Sequence, residues 1–157
     1  MFEFAPCFRF HYLFRVLRFC SRTVHPRYRM TDDRKIYVVD DDAHIRDSTR
    51  MLLESAGFVV QGYASANQFL ADRITKGACL ITDIHMPAMS GLELYRRLID
   101  TGQTIATILV TAFPNEVDRT RALNDGALCY LRKPVDEEHL TRCVREALSS
   151  AGSPEQE

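Results

Sequence analysis

The sequence lacks any long apolar run and lacks a Cys-x-x-Cys pair. No stretch approaches the roughly 18 consecutive apolar residues that a membrane-spanning helix needs, so we expect no membrane association. The five cysteines lie far apart along the chain. Cys79 and Cys129 sit within apolar runs, which predicts buried, reduced thiols and a cytoplasmic location.

Acidic residues outnumber basic ones beyond the first 29 residues. Residues 1–29 contain six arginines against Glu3 alone, whereas the rest of the chain contains 14 Lys/Arg against 20 Asp/Glu. An acidic domain has no electrostatic basis for binding nucleic acid, and we expect no direct contact with it.

The basic extension 1–29 has two readings. Polar and apolar residues at helical spacing within it suggest a surface-binding amphipathic helix or a targeting peptide. We favour a segment without a folded role, either unstructured or placed there by a start assigned too far upstream. Met30, followed by Thr31, is the expected natural start because it directly precedes the first predicted strand.

From Lys35 onward, short apolar runs rich in β-branched residues alternate with amphipathic stretches. Apolar runs without strict alternation are typical of strands buried on both faces of a parallel sheet. The predicted strands are Ile36–Val39, Phe58–Val60, Ala78–Ile81, Ile105–Val110 and Ala127–Leu131.

The stretches between these runs have helical periodicity and suitable end signals. Gly57 follows the first helix as a C-terminal cap would, and Asp136 is placed to cap the start of the last. The predicted helices are His44–Ala56, Ser65–Ala71, Leu92–Ile99, Glu116–Asp125 and Asp136–Ser149.

Five βα repeats with right-handed crossovers predict an α/β fold, a doubly wound (βα)5 three-layer sandwich with a five-stranded parallel sheet. We assign residues 33–149 to this single domain. Residues 150–157 are polar and are expected to form a disordered tail.

Ligands bind outside the carboxyl ends of strands in such sheets. The residues at those ends are Asp40 and Asp41 after the first strand, Asp83 after the third, Thr111 after the fourth and Lys133 after the fifth. Taken singly, these residues have common structural explanations, because aspartates often cap helices or form turns and lysines are often solvated. Their joint placement at one edge of the sheet indicates a site.

Three neighbouring aspartates repel one another unless a cation joins them. Mg²⁺, which prefers oxygen ligands, suits Asp40, Asp41 and Asp83. An aspartate carboxylate can accept a phosphoryl group, and Lys133 and the Thr111 hydroxyl can neutralise its oxygens. Asp83, on the middle strand, is the candidate acceptor.

Four segments resemble the receiver domain of bacterial two-component response regulators, of the nitrogen-fixation (FixJ-like) or chemotaxis-regulator-like type. The resemblance covers about residues 33–149 and implies the flavodoxin-like receiver fold. The segments are Val38–Asp42, Leu80–Gly91 (with Asp-x-x-Met-Pro-x-Met-x-Gly), Ile108–Ala112 and Tyr130–Pro134.

The resemblance implies that a sensor histidine kinase phosphorylates Asp83. It further implies that Asp41, Asp83 and the backbone carbonyl of His85 bind Mg²⁺, while Asp40 acts largely through water. The phosphorylated protein would then change conformation, and this change would transmit the signal in a phosphorelay.

The resemblance also implies the remaining roles. Thr111 and Lys133 hold the phosphoryl oxygens, and the bond between Lys133 and Pro134 is cis. Tyr130 is the aromatic switch residue, turning inward as Thr111 moves toward the phosphoryl group.

Two neighbours of the site are unusual for the family. Phe113, two residues after Thr111, offers no hydrogen bond to orient an attacking water, so we expect slow self-dephosphorylation. His85 could serve as a general base, but a loop histidine without that role is as good a reading.

We expect a stand-alone receiver because no helix-turn-helix segment follows residue 149. It is expected not to be an enzyme, beyond its own phosphotransfer and self-dephosphorylation. It would act on an unidentified downstream protein, or form a homodimer, through the surface of residues 115–149.

Two alternatives remain. One is a phosphorylation-independent interaction module. The other is a small haloacid dehalogenase-like phosphatase with Asp40 as nucleophile and Asp42 as general acid, although the following Ala43 and His44 depart from that family's pattern.

Overall fold

The structure, a computed structural model, describes residues 35–150. The predictions for the basic extension 1–29, including its amphipathic helix, lie outside the described residues. The expected tail lies outside them as well, except for Ser150, which belongs to the last helix rather than to a tail.

Strands and helices alternate along the whole described segment. The strands are β1 Lys35–Val39, β2 Val59–Tyr63, β3 Cys79–Asp83, β4 Ala106–Thr111 and β5 Cys129–Arg132. The helices are α1 Ala43–Ser55, α2 Ala66–Ala71, α3 Gly91–Asp100, α4 Glu116–Asn124 and α5 Glu137–Ser150.

The five strands form one parallel sheet in the order β2-β1-β3-β4-β5, which confirms the doubly wound prediction. Every residue of β3 is buried, and nearly all of β1 and β4 is buried too. Strands covered on both faces can be apolar throughout, which is why their sequences lack alternation. The edge strands β2 and β5 are more exposed.

Helices cover both faces of the sheet and divide its core. On one face α5 buries five residues against the strands. On the other, α2, α3 and α4 pack over two apolar clusters. The residues of α5 that are buried are Leu140, Cys143, Val144, Ala147 and Leu148.

The packing of α1 differs from its predicted apolar face. Ile45, Thr49, Leu52, Leu53 and Ala56 share helical spacing, yet only Leu53 is buried and Ile45 remains 38% exposed. Helix α1 lies toward the β2 edge, where it contacts β2 more than β1. A helix at the edge of a sheet has less apolar surface to cover than one over its centre.

β4 and β5 each run one residue past their predicted ends, to Thr111 and Arg132, and β2 and β3 run further. β2 runs to Tyr63 because its backbone pairs with β1 over five residues, although Gln61 and Gly62 are exposed and carry no apolar signal. β3 continues to Asp83, which pairs with Val110. Sheet pairing therefore places Asp83 on the last residue of a buried strand.

Within residues 35–150, no helix is long and apolar enough to cross a membrane.

Gly91 begins α3 directly beneath the end of β3. Its amide donates to the Ile84 carbonyl at 3.0 Å. A Cβ at this position would lie 2.2 Å from the Asp83 carbonyl oxygen and 3.0 Å from Thr82 Oγ1. Only glycine therefore permits this close approach of helix and strand.

We predict that Gly91→Ala lowers the free energy of unfolding by about 2–3 kcal/mol, because backbone atoms of β3 must move to admit the methyl group. Urea denaturation measures this. Gly62→Ala is the matched control: its Cβ would meet only the flexible Arg46 side chain, at 3.3 Å, and stability should change by less than about 1 kcal/mol. Equal losses in the two variants would contradict the prediction.

Candidate functional site

The candidate site lies where β1 and β3 adjoin. The sheet order reverses at this point, since β1 has β2 on one side and β3 on the other. Helices from the two strands leave toward opposite faces, which opens a crevice at their carboxyl ends. Asp40 directly follows β1, and Asp83 is the last residue of β3. Both are buried.

Lys133 joins these two carboxylates. Its Nζ lies 2.8 Å from Asp40 Oδ2 and 3.0 Å from Asp83 Oδ1. The lysine side chain is 16% exposed and each aspartate side chain 7% exposed. The backbone amide of Lys133 donates to the Thr111 carbonyl at 2.8 Å, which holds this residue beside the end of β4. The bond from Lys133 to Pro134 is cis, as the resemblance implied.

Burial and charge compete at this ion pair. Burial raises the pKa of the Asp40 carboxyl, and the hydrogen bond and charge of Lys133 offset only part of that rise. Burial lowers the pKa of Lys133, but its hydrogen bonds to Asp40 and Asp83 and the charges of these two carboxylates together outweigh burial and leave the pKa raised. A raised acid pKa means that ionising Asp40, as pH rises through its folded-state pKa, costs stability. Binding of a further cation at the site would offset this cost.

Three carboxylates are close enough to share that cation. Asp40, Asp41 and Asp83 each offer an oxygen, and these atoms lie within 4.8 Å of one another. Asp41 is exposed while the other two are buried, so the group faces solvent on one side. Oxygen donors and an open side fit Mg²⁺, which binds through a few carboxylates and keeps several waters. His85 lies two residues after Asp83, beyond the end of β3, and its backbone carbonyl remains a predicted Mg²⁺ ligand.

Asp42 is separate from this group. It is the N-cap of α1, and its Oδ1 accepts from the amides of His44 at 2.8 Å and Ile45 at 3.2 Å. These backbone hydrogen bonds, that of Ile45 first, lower the pKa of its carboxyl. A general acid needs the opposite shift. The role of Asp42 as a helix cap and its lowered pKa therefore disfavour the phosphatase alternative.

Thr111 is buried at the end of β4, and two groups engage its hydroxyl. Nδ1 of His85 lies 3.1 Å from Thr111 Oγ1, and the amide of Phe113 donates to the same oxygen at 3.1 Å. The rings of His85 and Phe113 meet edge-on, with their centroids 5.6 Å apart. Phe113 is nevertheless 73% exposed. The contact of the His85 side chain with Thr111 was not predicted from the sequence.

Tyr130 lies on the other face of β5 from Cys129 and Leu131. Its ring packs, partly buried, against the cluster that contains Tyr95 and Leu109. Its hydroxyl accepts from the amide of Asn115, the N-cap of α4, at 3.3 Å. The predicted switch residue thus touches the start of α4 in this structure.

Sequence reasoning missed two supports of the site. Arg46, in the first turns of α1, donates from Nη1 to the Asp40 carbonyl at 2.6 Å. No motif signals this contact. The start of α3 is held by a capping box of Ser90 and Glu93, and the pattern Ser-x-x-Glu before an apolar helix could have revealed it.

Comparisons with known proteins agree on one family. Residues 36–145 match the model of the response regulator receiver domain. The chain is 36% identical over 128 residues to the response regulator protein TmoT of Ectopseudomonas mendocina, covering 80% of this chain and 58% of TmoT. It is 34% identical over 124 residues to the transcriptional regulatory protein FixJ of Bradyrhizobium diazoefficiens, covering 78% and 60%.

A solved structure has the same fold. The crystal structure of FixJ-N is 30% identical in sequence, with a TM-score of 0.69, and the match covers 79% of this chain and all of that one. By contrast, the match spans no more than about 60% of the length of TmoT and FixJ themselves.

We predict that Mg²⁺ stabilises the domain by binding the three carboxylates. At a Mg²⁺ concentration ten times Kd, the gain is about 1.4 kcal/mol, or roughly 5 °C in Tm, and EDTA should reverse it. Asp41→Asn should lose most of this response. Glu54→Gln, which removes the same charge from an exposed position on α1, should keep it. An equal Mg²⁺ response in both variants would place the ion elsewhere.

Proposed function

The chain belongs to the response regulator receiver family, and on that premise we propose that Asp83 accepts a phosphoryl group from a sensor histidine kinase. Receiver domains of this family are phosphorylated by such kinases and generally bind Mg²⁺ at an acidic pocket. The observation that carries the proposal is the position of Asp83, at the end of a fully buried central strand, 3.0 Å from the ammonium of Lys133.

The transfer is a displacement at phosphorus. A carboxylate oxygen of Asp83 attacks the phosphorus atom, the bond from phosphorus to the donor histidine nitrogen breaks, and an acyl phosphate forms. Lys133 stays beside Asp83 and stabilises the negative charge on the phosphoryl oxygens. Bound Mg²⁺ would supply further charge neutralisation for these oxygens. One phosphoryl group is held per chain, so the protein serves as a signalling acceptor and is not a turnover enzyme beyond hydrolysis of its own acyl phosphate.

Thr111 supplies the conformational response. To reach a phosphoryl group on Asp83, its hydroxyl must leave the His85 ring, which it contacts at 3.1 Å. The Phe113 amide, bonded to the same hydroxyl, would move with it and shift the loop that leads to α4. Tyr130 then loses its hydrogen bond with the Asn115 amide and turns inward. Charge at one edge of the sheet thus alters the start of α4.

The partner surface proposed for residues 115–149 has exposed apolar side chains. Val117 and Leu123, both on α4, are 72% and 38% exposed. Ala122 is the one residue of α4 that is buried. A helix held to the domain by so little apolar contact can move at small cost and offers its free side chains to a downstream protein or to a second copy of the chain.

We predict that acetyl phosphate with Mg²⁺ adds one phosphoryl group to the wild-type chain and none to Asp83→Asn, as measured by intact mass. Asp100→Asn, an exposed aspartate at the end of α3, should react like the wild type. Size-exclusion chromatography of the same samples, with beryllofluoride as the stable phosphoryl mimic, tests whether the switch promotes a dimer.

Phosphorylation that persists in Asp83→Asn would overturn the assignment of the acceptor. A partner that binds wild type and Asp83→Asn equally well, with no effect of beryllofluoride, would favour the phosphorylation-independent module instead.

We also predict that Phe113→Glu or Phe113→Lys changes the half-life of the phosphorylated Asp83 by several-fold. A charged side chain beside His85 can orient or exclude the attacking water, which an apolar ring cannot. The decay of phosphorylated protein is followed by mass. Val117→Glu, which introduces the same charge at an equally exposed apolar position, is the control. Unchanged decay in both Phe113 variants would contradict the proposed role.

A further inference from the structure

The three cysteines of the described segment lie in one cluster beneath α5. Cys79 on β3 and Cys143 on α5 belong to the same buried core, and Cys129 on β5 packs against it. The sulfurs of Cys129 and Cys143 are 2.7 Å apart. Nonbonded carbon atoms settle at about 3.5–4.0 Å, and a disulfide is about 2.05 Å long. The two thiols are therefore closer to bonding distance than to ordinary packing.

Backbone geometry brings this pair together. Side chains alternate along β5, so Cys129 and Leu131 face α5 while Tyr130 faces α4. Cys143 lies on the buried face of α5, one turn beyond Leu140. The pair thus joins a strand and a helix that are neighbours in the chain and packed in the fold.

We propose that Cys129 and Cys143 form a reversible disulfide when the protein meets a low-molecular-weight disulfide such as oxidised glutathione. This inference is independent of the proposed phosphorylation of Asp83. The contact between the two sulfurs is the feature that carries it, since β5 and α5 already hold them in place.

The exchange takes two steps. The Cys129 thiolate attacks one sulfur of the small disulfide, which releases the first thiolate and leaves a mixed disulfide on Cys129. The Cys143 thiolate then attacks the Cys129 sulfur and releases the second. The protein loses two electrons and two protons, and the small disulfide gains them as two thiols. Cys129 reacts first because it is partly exposed, whereas Cys143 is buried.

The surroundings make the reaction slow at neutral pH. Burial, then the hydrogen bond with Cys143, raise the pKa of Cys129 above its usual range. The charge of Glu146 raises this pKa as well, and that of Arg142 lowers it slightly. Because the thiolate is the reacting form, the rate should increase about tenfold per pH unit below that pKa. Oxidation is thus a response to sustained rather than brief exposure.

A disulfide here would tie β5 to α5. The bond closes a short loop between residues 129 and 143, and such a constraint raises Tm by about 10 °C in a domain of this size. It would also fix α5 against the strand that carries Tyr130.

The test uses the full chain with Cys7 and Cys20 replaced by serine. Treatment with oxidised glutathione at pH 8.5 should remove two hydrogens, and non-reducing peptide mapping should link the segments that contain Cys129 and Cys143. Dithiothreitol should reverse both changes and the rise in Tm. Cys79→Ala is the matched control, because it removes the third thiol of the cluster and keeps the pair.

Cys143→Ala should stop at a mixed disulfide on Cys129 and show no rise in Tm. The proposal is overturned if the unaltered pair also stops at the mixed disulfide, if mapping links either thiol to Cys79, or if no thiol of the folded chain reacts. Peptide mapping of the chain that retains both Cys129 and Cys143 tests the proposed disulfide even where a variant folds poorly.

Discussion

The structure depends on the crowding of negative charge at one point of its sheet. Asp40 and Asp83 are buried beside each other, Asp41 adds a third carboxylate, and Lys133 supplies the one cation among the described residues that bridges the two buried acids. Burial raises the pKa of Asp40 in spite of that lysine, and a single ammonium cannot balance three carboxylates. An acidic crevice of this kind is stabilised by an added cation and can receive an electrophilic phosphorus atom once that cation is bound. The same imbalance that weakens the fold locally makes the position chemically useful.

The sheet topology is what keeps this crowding in place. β1 and β3 are central strands, paired on both sides and covered by helices on both faces. Rigid strands fix the two buried aspartates, whereas the groups expected to move under the proposed function adjoin or lie on elements with less buried contact. Thr111 leads into an exposed loop, and α4 buries a single residue. Under the proposed function, the phosphoryl group is received at the well-packed centre of the sheet, and the response is expected at its less tightly packed edge.

Much of the fold and the composition of the site could be predicted from the sequence, because both depend on chain order. Alternating apolar runs and amphipathic stretches predict parallel strands, and the carboxyl ends of parallel strands must meet, which brings Asp40, Asp83, Thr111 and Lys133 to one edge. What could not be predicted depends on side-chain direction and on local packing. The contact between His85 and Thr111, the hydrogen bond from Arg46 to the Asp40 carbonyl and the exposure of Ile45 on α1 follow from rotamers and from how far each helix overlies the sheet. The proximity of Cys129 and Cys143 is of the same kind: sequence shows two distant thiols, and only the packing of α5 on β5 makes them a pair.

The bridge between Asp40 and Lys133 has a consequence for the newly made protein. The two residues are 93 positions apart in the chain, near its first and last strands. Their pair can form only after β5, the last strand of this sheet in chain order, has been synthesised and has joined the sheet. Until then Asp83 has no ammonium beside it, and the acidic crevice is incomplete. A chain that is still being synthesised, or one that has lost its last strand to proteolysis, therefore presents its aspartates without the group that would hold a phosphoryl oxygen. Under the proposed function, the ability to accept a phosphoryl group is therefore gained only when β5 has joined the sheet.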